Sequence, residues 1–293
     1  MKNIKLTICT PTFNRAYILP VLYQSLQKQT CKDFEWLIID DGSADNTQEL
    51  AEAWITSDND FPIRYYKKEN AGKCSAINCG LDYANGELFV VIDSDDFLTE
   101  DAAEKIIALE NTVSDKNKFC GVAFNLGTDI NTTPNSLFDA DYKDATLLNR
   151  YTSLDGEKAY AFYTEIHKKY RYPLFDNEKF MTEAVVWNRI ANDGYLMRFS
   201  NDIICIYEYR EDGLTNAGAS LFINNPRGYG LWLKEKDIFM KKSFFEKIKT
   251  FYSFTCELKD KYNDSQIAEC IGISTLSVKT FKLIHKIISL IKK

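Results

Sequence analysis

The chain has 293 residues, of which 45% are hydrophobic, and it carries a formal net charge of −6 at pH 7. This length suits one large domain or two small ones, and the composition is that of an ordinary globular protein. The sequence contains no apolar run of about 18 residues, which excludes the usual pattern of a membrane-spanning helix. The eight cysteines have no C-x-x-C spacing, and neither of the two histidines lies near a cysteine pair. We therefore predict reduced, mostly buried cysteines and no zinc site.

The first five residues lead directly into a short strand-like run. They lack the longer apolar stretch and the small-residue cleavage site of a secretory signal. We therefore expect a cytoplasmic protein, in which unpaired cysteines stay reduced.

The first hundred residues alternate short apolar runs with amphipathic helical patterns. The runs predict strands at 4–10, 34–39, 63–66 and 87–92, and the patterns predict helices at 17–29, from 45 or 46 to 56, and at 72–84. Repeated strand–helix units imply an α/β fold, with a parallel sheet and helices on both of its faces.

The remaining sequence is less regular. We predict strands at 120–126 and 203–207, a helix at 177–191, and only helices from about 218 onward. Residues 127–177 are rich in Asn, Asp, Thr and Tyr, which favours an excursion over the sheet. The predicted domains are 1–215 and a helical C-terminal region at 216–293.

Polar segments follow three of the predicted strands, at 10–15, 40–43 and 93–96. Ligands bind beyond the carboxyl ends of the strands in such sheets. The segment Asp93-Ser94-Asp95-Asp96 places three carboxylates within four residues, and a hard divalent cation would relieve their repulsion. Mg²⁺ is commonly held by one or two carboxylates together with substrate phosphates. The alternative is an acidic turn that caps the next helix.

Five motifs in this order resemble glycosyltransferase family 2, an inverting family with the GT-A fold, over roughly residues 4–215. They are Thr10-Pro11-Thr12-Phe13-Asn14-Arg15, Asp40-Asp41-Gly42-Ser43, Asn70-Ala71-Gly72-Lys73, Asn85-Gly86-Glu87 with Asp93-Ser94-Asp95-Asp96, and Thr182-Glu183. The resemblance implies a Rossmann-like nucleotide-sugar-binding domain with a mostly parallel sheet and a helical C-terminal extension. It also implies transfer of a hexose from a UDP-sugar to a saccharide acceptor, which is lipid-linked in many members. The pathway it suggests is capsule, O-antigen or exopolysaccharide synthesis.

The resemblance assigns the donor nucleotide to residues at the strand ends. Asp95 and Asp96 would bind the ribose and a Mn²⁺ or Mg²⁺ ion, with Asp93 and Ser94 on the nucleotide side. Asp41 would accept a hydrogen bond from the uracil ring N–H, since an ionised carboxylate only accepts. The segment Thr10, Pro11 and Thr12 would line the base. Lys73 would lie near the base or the phosphates; the alternative is an ordinary exposed lysine at a helix start.

Glu183 is the candidate general base, because an inverting transfer needs a group that takes the proton of the acceptor hydroxyl. Glu178 is a rival, and a carboxylate at a helix start also complements the helix dipole without any catalytic role. The segment 207–215 resembles a mobile family loop that closes over the donor. This chain lacks the histidine that some members have there, and Arg210 is a candidate diphosphate contact or else an exposed structural arginine.

Residues 275–293 read as a basic amphipathic helix, with five lysines between 271 and 293 and no Asp or Glu. Such a helix can lie on the anionic cytoplasmic face of a membrane, or its apolar face can pack on the protein. Residues 266–281 also resemble a helix-turn-helix, whereas a simpler account is that Gly272 ends one helix and Ser274 caps the next. We expect no nucleic-acid partner.

Other functional classes fit the sequence less well. A nucleotidyltransferase or a dehydrogenase would need a glycine-rich loop after the first strand, and residues 10–15 contain no glycine. A non-catalytic protein that binds saccharides or nucleotides remains the alternative.

Overall fold

The computed structural model describes residues 4–210 and 213–291 and shows an α/β architecture followed by helices. The chain divides into two compact units. The first takes the described residues of Met1–Arg171 and Arg189–Tyr209, and the second takes those of Tyr172–Asn188 and Arg210–Lys293. The predicted domain division at 215/216 stays a prediction.

Four parallel strands form the N-terminal part of the sheet in the first unit. They are β1 (Leu6–Thr12), β2 (Phe34–Asp40), β3 (Ile63–Lys67) and β4 (Leu88–Val91), in the order β3-β2-β1-β4. Leu6 pairs with Phe34 on one side and with Leu88 on the other. Each strand begins and ends within two residues of its predicted position. Because the strands are parallel, their carboxyl ends lie at one edge of the sheet.

The sheet continues through strands that the chain reaches later. They are β5 (Phe97–Leu98), β6 (Phe119–Gly127), β7 (Lys143–Ala145), β8 (Lys158–Tyr163) and β9 (Leu196–Ile206). After β4 the order is β8-β6-β9-β5, with β7 paired to β9. β8 is antiparallel to both of its neighbours, and β6 is parallel to β9.

The prediction that residues 127–177 all pass over the sheet is wrong for β8. This strand lies between β4 and β6, where Ala161 pairs with both Val90 and Val122. Its run Ala159–Tyr163 is buried throughout. Burial on both faces and pairing with strands more than 30 residues away place β8 inside the sheet. The polar residues around it in the sequence hid this buried strand from the prediction.

Helices cover the sheet of the first unit. They are α1 (Leu19–Gln27), α2 (Thr47–Thr56), α3 (Lys73–Tyr83), α4 (Ala102–Asn111) and the single turn α5 (Thr164–His167). The first three lie within two residues of their predicted bounds. The core between helices and sheet includes a stack of Tyr23, Trp36 and Trp54, whose ring centroids lie 4.6 to 5.9 Å apart. Full burial of large apolar side chains contributes about 1.5–3 kcal/mol each.

The amino end of β4 depends on close backbone packing. A Cβ at Gly86 would lie 2.4 Å from the backbone N of Thr7, so no larger residue fits there. The buried Glu35 carboxylate accepts the N–H of Asn85 at 2.8 Å and an Nη1 hydrogen of Arg64 at 3.1 Å. The motif Asn85-Gly86-Glu87 therefore aligns β4 from the end opposite to the carboxyl edge.

The sequence predicts a helix at 177–191, and its counterpart α6 (Ala184–Asn192) begins seven residues later. Asn177 has a left-handed φ of 63°, which a helix does not accommodate. The Thr182 hydroxyl instead accepts the N–H of Ala184 at 3.3 Å. The first part of α6 belongs to the second unit and its last part to the first.

The described residues after 218 form helices, as predicted. They are α7 (Ala219–Ile223), α8 (Pro226–Phe239), α9 (Phe244–Leu258), α10 (Asp264–Ile271) and α11 (Thr275–Ile291). Gly272 ends α10 in the left-handed conformation, with φ of 75°. The Ser274 hydroxyl accepts the N–H of Ser277 at 3.1 Å. The simpler account of this turn is therefore confirmed.

All eight cysteines are free thiols, and four of them are buried. Among the described residues, no helix combines the length and apolar character that crossing a membrane requires.

His167 gives the stability of the fold a specific dependence on pH. It is 1% exposed, and its ring centroid lies 4.6 Å from that of Phe162 and 5.7 Å from that of Phe89. Burial, with a smaller contribution from the positive charge of Arg171, lowers the pKa of His167 to about 3. Below about pH 6.5 the unfolded chain therefore binds a proton that the folded chain excludes.

We expect the free energy of unfolding to fall by about 2 kcal/mol more in the wild type than in His167→Gln between about pH 7 and about pH 5. Urea denaturation at a series of pH values measures this difference. A second variant, His285→Gln, removes the other histidine and controls for the loss of an imidazole as such. Parallel profiles for the wild type and His167→Gln would contradict the assignment.

Candidate functional site

Three polar segments meet at the carboxyl edge of the sheet in the first unit. Thr10–Thr12 ends β1, Asp41 follows β2, and Asp93–Asp96 follows β4. β1 lies between β2 and β4 and is parallel to both. The structure therefore brings these predicted site segments together on neighbouring strands.

Asp41 is the most fully bonded side chain of this edge. It is 4% exposed, and its Oδ1 accepts from Lys68 Nζ at 2.7 Å and from the Ala71 N–H at 3.0 Å. Its Oδ2 accepts the Gly72 N–H at 2.6 Å. An ionised carboxylate has about four acceptor positions. One position on Oδ2 is therefore left for a further donor, such as the ring N–H predicted from the sequence.

Hydrogen bonds join the loops that follow β1 and β2. The Asp41 N–H donates to the Thr12 carbonyl at 2.8 Å, and the Asn14 N–H donates to Ser43 Oγ at 2.8 Å. Asn14 Oδ1 in turn accepts the Ala44 N–H at 2.8 Å. Asn14 adopts a left-handed φ of 54°, which asparagine tolerates better than most residues. The two loops therefore form one unit at the end of the sheet.

The segment Thr10–Thr12 is buried and offers two kinds of polar group. The Thr10 hydroxyl accepts the indole N–H of Trp36 at 3.0 Å, so its side chain is hydrogen-bonded within the core. Within the described part of the chain, the buried Thr12 Oγ1 has no hydrogen-bond partner. Buried polar atoms usually have a partner, and a bound ligand is one way to supply it. Pro11 is buried in β1 and has no side-chain polar group.

The Asp93–Asp96 segment forms a turn in which the Asp96 N–H donates to the Asp93 carbonyl at 3.2 Å. Lys73, the first residue of α3, pairs with the Asp93 carboxylate at 2.7 and 2.9 Å. This lysine lies at the site and is not an isolated surface residue. Lys73 is thus paired with Asp93, whereas neither Asp95 nor Asp96 has an ion-pair partner in the part of the chain that the structure describes.

Asp96 experiences the negative charge of the whole turn. Burial, followed by the nearby carboxylates of Asp93 and Asp95, raises the pKa of Asp96 to about 8. The Cys205 thiol lies 3.9 Å from Asp96 Oδ2. A divalent cation beside Asp95 and Asp96 would remove this repulsion, and two carboxylates are the hard oxygen ligands that Mg²⁺ and Mn²⁺ prefer.

The protein alone supplies few metal ligands. In residues 4–210 and 213–291, no three His, Cys, Asp or Glu side chains are grouped so as to hold a metal ion. Two carboxylates with the remaining positions filled by substrate phosphates and water fit the usual Mg²⁺ pattern. The donor set therefore suits a cation that arrives with a phosphorylated ligand.

The sequence reasoning missed two polar residues that β8 brings to this edge. Lys158 pairs with Asn125 in the sheet and donates from Nζ to Asn125 Oδ1 at 2.7 Å. Glu157 precedes it and is exposed, and its negative charge contributes to the raised pKa of Asp96. The apolar run 159–163 in the sequence predicts a buried strand, and it could have placed Glu157 and Lys158 at the start of that strand.

The candidate bases lie in the second unit. Glu183 immediately precedes α6, is half-buried, and its carbonyl accepts the N–H of Val186 at 3.1 Å. The carboxylate of its rival Glu178 accepts the N–H groups of Arg227 and Gly228 at 2.8 and 2.9 Å. These two donors belong to the first turn of α8, so Glu178 caps that helix. This capping role argues against Glu178 as a base, and the role of Glu183 stays a prediction.

Arg210 also belongs to the second unit. Its carbonyl accepts the N–H of Gly213 at 3.1 Å. Residues 211 and 212 of the predicted mobile loop lie outside the described residues. The diphosphate contact of Arg210 stays a prediction.

Comparison with known proteins agrees with this geometry. Residues 7–127 match the family model for glycosyl transferase family 2. Glycosyltransferase GlyA of Streptococcus pneumoniae is 26% identical over 199 residues, which make up 66% of this chain and 27% of GlyA. The GalNAc(5)-diNAcBac-PP-undecaprenol beta-1,3-glucosyltransferase of Campylobacter jejuni is 35% identical over 109 residues, or 36% of this chain and 35% of that enzyme. The matched parts thus span about a third or less of these relatives.

Solved structures resemble the chain over more of its length. S. aureus TarS 1–349 in complex with UDP-GlcNAc has a TM-score of 0.62 at 16% identity, covering 96% of this chain and 91% of that one. The mannosyltransferase PcManGT from Pyrobaculum calidifontis, in complex with GDP-Man and Mn²⁺, has a TM-score of 0.58 at 16% identity, covering 98% and 80%. At this identity the likeness establishes the GT-A fold. Residues 7–127 thus match glycosyltransferase family 2, and the curated relatives that the chain resembles are named glycosyltransferases.

Proposed function

We propose that this protein transfers a hexose from a UDP-sugar to a saccharide hydroxyl, with inversion at the anomeric carbon. The observation that carries the proposal is the joining of Asp41, Lys73 and Asp93 at the edge that also presents Asp95 and Asp96. A nucleotide-sugar diphosphate needs a base-recognition group and a centre that stabilises negative charge, and this edge offers both.

Asp41 is the proposed uracil contact. Its Oδ2 has one acceptor position left after the Gly72 bond, and the uracil ring presents one N–H. The unpartnered hydroxyl of Thr12 lies at the end of the adjoining strand. Lys73 and Ser94 complete the proposed nucleotide site, in which Lys73 also balances Asp93.

Asp95 and Asp96 would hold Mn²⁺ or Mg²⁺ together with the donor diphosphate. The ion would supply neutralisation of the charge that develops on the leaving nucleoside diphosphate. PcManGT was determined with Mn²⁺. The raised pKa of Asp96 supports the same assignment, because burial and the carboxylates of Asp93 and Asp95 disfavour its charged form and a bound cation would favour it.

Glu183 is the proposed general base. Its carboxylate would take the proton of the acceptor hydroxyl as that oxygen bonds to the anomeric carbon. The bond between the anomeric carbon and the donor phosphate oxygen breaks, and UDP leaves with the electron pair. Arg210 is the proposed further contact to the diphosphate.

The acceptor is proposed to be a saccharide, in a lipid-linked form, during assembly of capsule, O-antigen or exopolysaccharide. The C. jejuni relative supports this, because its name gives an undecaprenol-linked saccharide as acceptor. We also propose a cytoplasmic location, since eight free thiols suit a reducing compartment. Contact of 275–293 with the membrane face is a separate proposal, because it depends on another part of the chain.

The alternative is a family member that binds a nucleotide or a saccharide without transferring sugar. Release of UDP from a UDP-sugar, with or without acceptor, distinguishes the two. Binding without any UDP release would favour the alternative.

We expect UDP with Mn²⁺ to raise the melting temperature, and neither Mn²⁺ nor UDP alone to do so as strongly. A ligand that binds only the folded state at 100 times its Kd stabilises it by about 2.7 kcal/mol. A thermal-shift panel of UDP-sugars then ranks the donors. An equal shift with GDP and Mn²⁺ would contradict uracil recognition.

Asp41→Asn should weaken UDP binding by roughly 10- to 100-fold, because an NH₂ group would replace one carboxylate oxygen. It should also lower the free energy of unfolding by about 1–3 kcal/mol through the lost bonds to Lys68, Ala71 or Gly72. Calorimetric titration with UDP and urea denaturation measure the two effects. Glu69→Gln removes an exposed neighbouring carboxylate and is the matched control. An unchanged UDP affinity in Asp41→Asn would exclude the uracil contact.

Asp96→Ala and Glu183→Gln should both abolish measurable transfer, but for different reasons. Asp96→Ala should also lose metal-dependent UDP binding, whereas Glu183→Gln should bind UDP normally and lose about 10²- to 10⁴-fold in turnover. UDP-release kinetics and UDP titration with Mn²⁺ separate the two variants.

Glu178→Gln is the control for the base. It should lower the stability by about 1–2 kcal/mol, because it weakens the cap of α8, and it should retain transfer per folded molecule. Near-normal turnover in Glu183→Gln with loss of turnover in folded Glu178→Gln would reverse the assignment.

A further inference from the structure

Helix α11 has one face packed on its own unit. Val278 is fully buried, and the Phe281 ring lies edge-on to Tyr252 with centroids 6.0 Å apart. His285 Nδ1 lies 3.1 Å from Tyr252 Oη and 3.3 Å from Cys256 Sγ. These contacts fix which side of the helix points inward.

The other side of α11 exposes five large aliphatic side chains. We call them the α11 apolar face: Leu276, Leu283, Ile284, Ile287 and Ile288, with exposures from 40% to 72%. Their spacing of three, four and seven residues places them on one stripe of a helix. Of the apolar stripe predicted from the sequence, Phe281 packs on the unit, whereas Leu276, Ile284, Ile287 and Ile288 are exposed.

Lysines flank this face. Lys279 and Lys286 are exposed and lie beside the stripe. Lys282 lies nearer the packed side of the helix and pairs with Asp264 at 2.6 Å. Residues 275–291 contain no Asp or Glu. A partner of this surface must therefore accept both aliphatic side chains and positive charge.

A second patch with the same chemistry lies at the start of α9. Phe244 and Phe245 are 72% and 76% exposed, and their rings lie 5.9 Å apart. Lysines stand on both sides of them in the sequence, at 241, 242, 247 and 249, although Lys242 pairs with Asp237 at 2.6 Å and the exposed Glu246 lies next to Phe245. This patch belongs to the same unit as α11.

We infer that the α11 apolar face, together with Phe244 and Phe245, binds the surface of an anionic lipid bilayer. The aliphatic and aromatic side chains enter the boundary between headgroups and acyl chains, and the lysines contact acidic headgroups. A second copy of this chain is a poorer occupant, because it would bring lysine-flanked faces together and like charges repel. The inference does not depend on transferase activity.

The test is flotation of the full chain with vesicles of phosphatidylcholine alone or of phosphatidylcholine with phosphatidylglycerol. We expect binding to the vesicles that contain phosphatidylglycerol, and we expect it to weaken as salt rises. The double variant Leu283→Ser, Ile287→Ser should bind these vesicles with an affinity at least about tenfold lower than that of the wild type. Lys279→Gln with Lys286→Gln should lose the preference for the anionic vesicles.

Ile130→Ser is the matched control, because it removes a 69% exposed aliphatic side chain from the first unit. It should bind vesicles like the wild type. A far-UV circular dichroism spectrum and a cooperative thermal transition like those of the wild type show that each variant is folded. The inference is overturned if the wild type does not bind anionic vesicles, or if the double serine variant binds them as tightly as the wild type does. It is also overturned if light scattering shows a dimer that the double serine variant dissolves.

Discussion

The carboxylate of Asp41 is the constraint on which the candidate site depends. It follows β2 and accepts hydrogen bonds from Lys68, Ala71 and Gly72, all in the segment that leads into α3. Because α3 begins at the next residue, this carboxylate fixes where the helix starts. Lys73 is thereby held against Asp93, after β4. One buried acid thus sets the distance between two segments that are 50 residues apart in the chain.

The charges of this edge are balanced unevenly. Lys68 pairs with Asp41 and Lys73 pairs with Asp93, so two of the carboxylates are neutralised within the protein. Among the described residues, neither Asp95 nor Asp96 has an ion-pair partner, and burial together with the carboxylates of Asp93 and Asp95 raises the pKa of Asp96. The proposed cation would therefore bind at the end that carries Asp95 and Asp96. This end lies next to Asp93 and away from Asp41. In a nucleotide the diphosphate and the base likewise lie at opposite ends, so the diphosphate would lie near the cation and the base near Asp41.

Much of this arrangement could be predicted from the sequence, because it depends on local patterns. The apolar runs of β1 to β4 are continuous, and the polar residues stand directly after them. The strand β8 could not be predicted as easily, because its place between β4 and β6 depends on pairing with distant strands. Glu157 and Lys158 were therefore missed. The bonds that Asp41 receives from Ala71 and Gly72 were equally hidden, since they join residues about 30 positions apart.

The two glutamates near α6 show where sequence reasoning ends and geometry begins. Glu178 and Glu183 are five residues apart, and the sequence gives each the same description, an acid near a helix start. The structure separates them, because the Glu178 carboxylate accepts two N–H groups at the start of α8. A carboxylate held in that way would have to release a helix end before it could take a proton. This capping role argues against Glu178 as the general base, and the role of Glu183 stays a proposal.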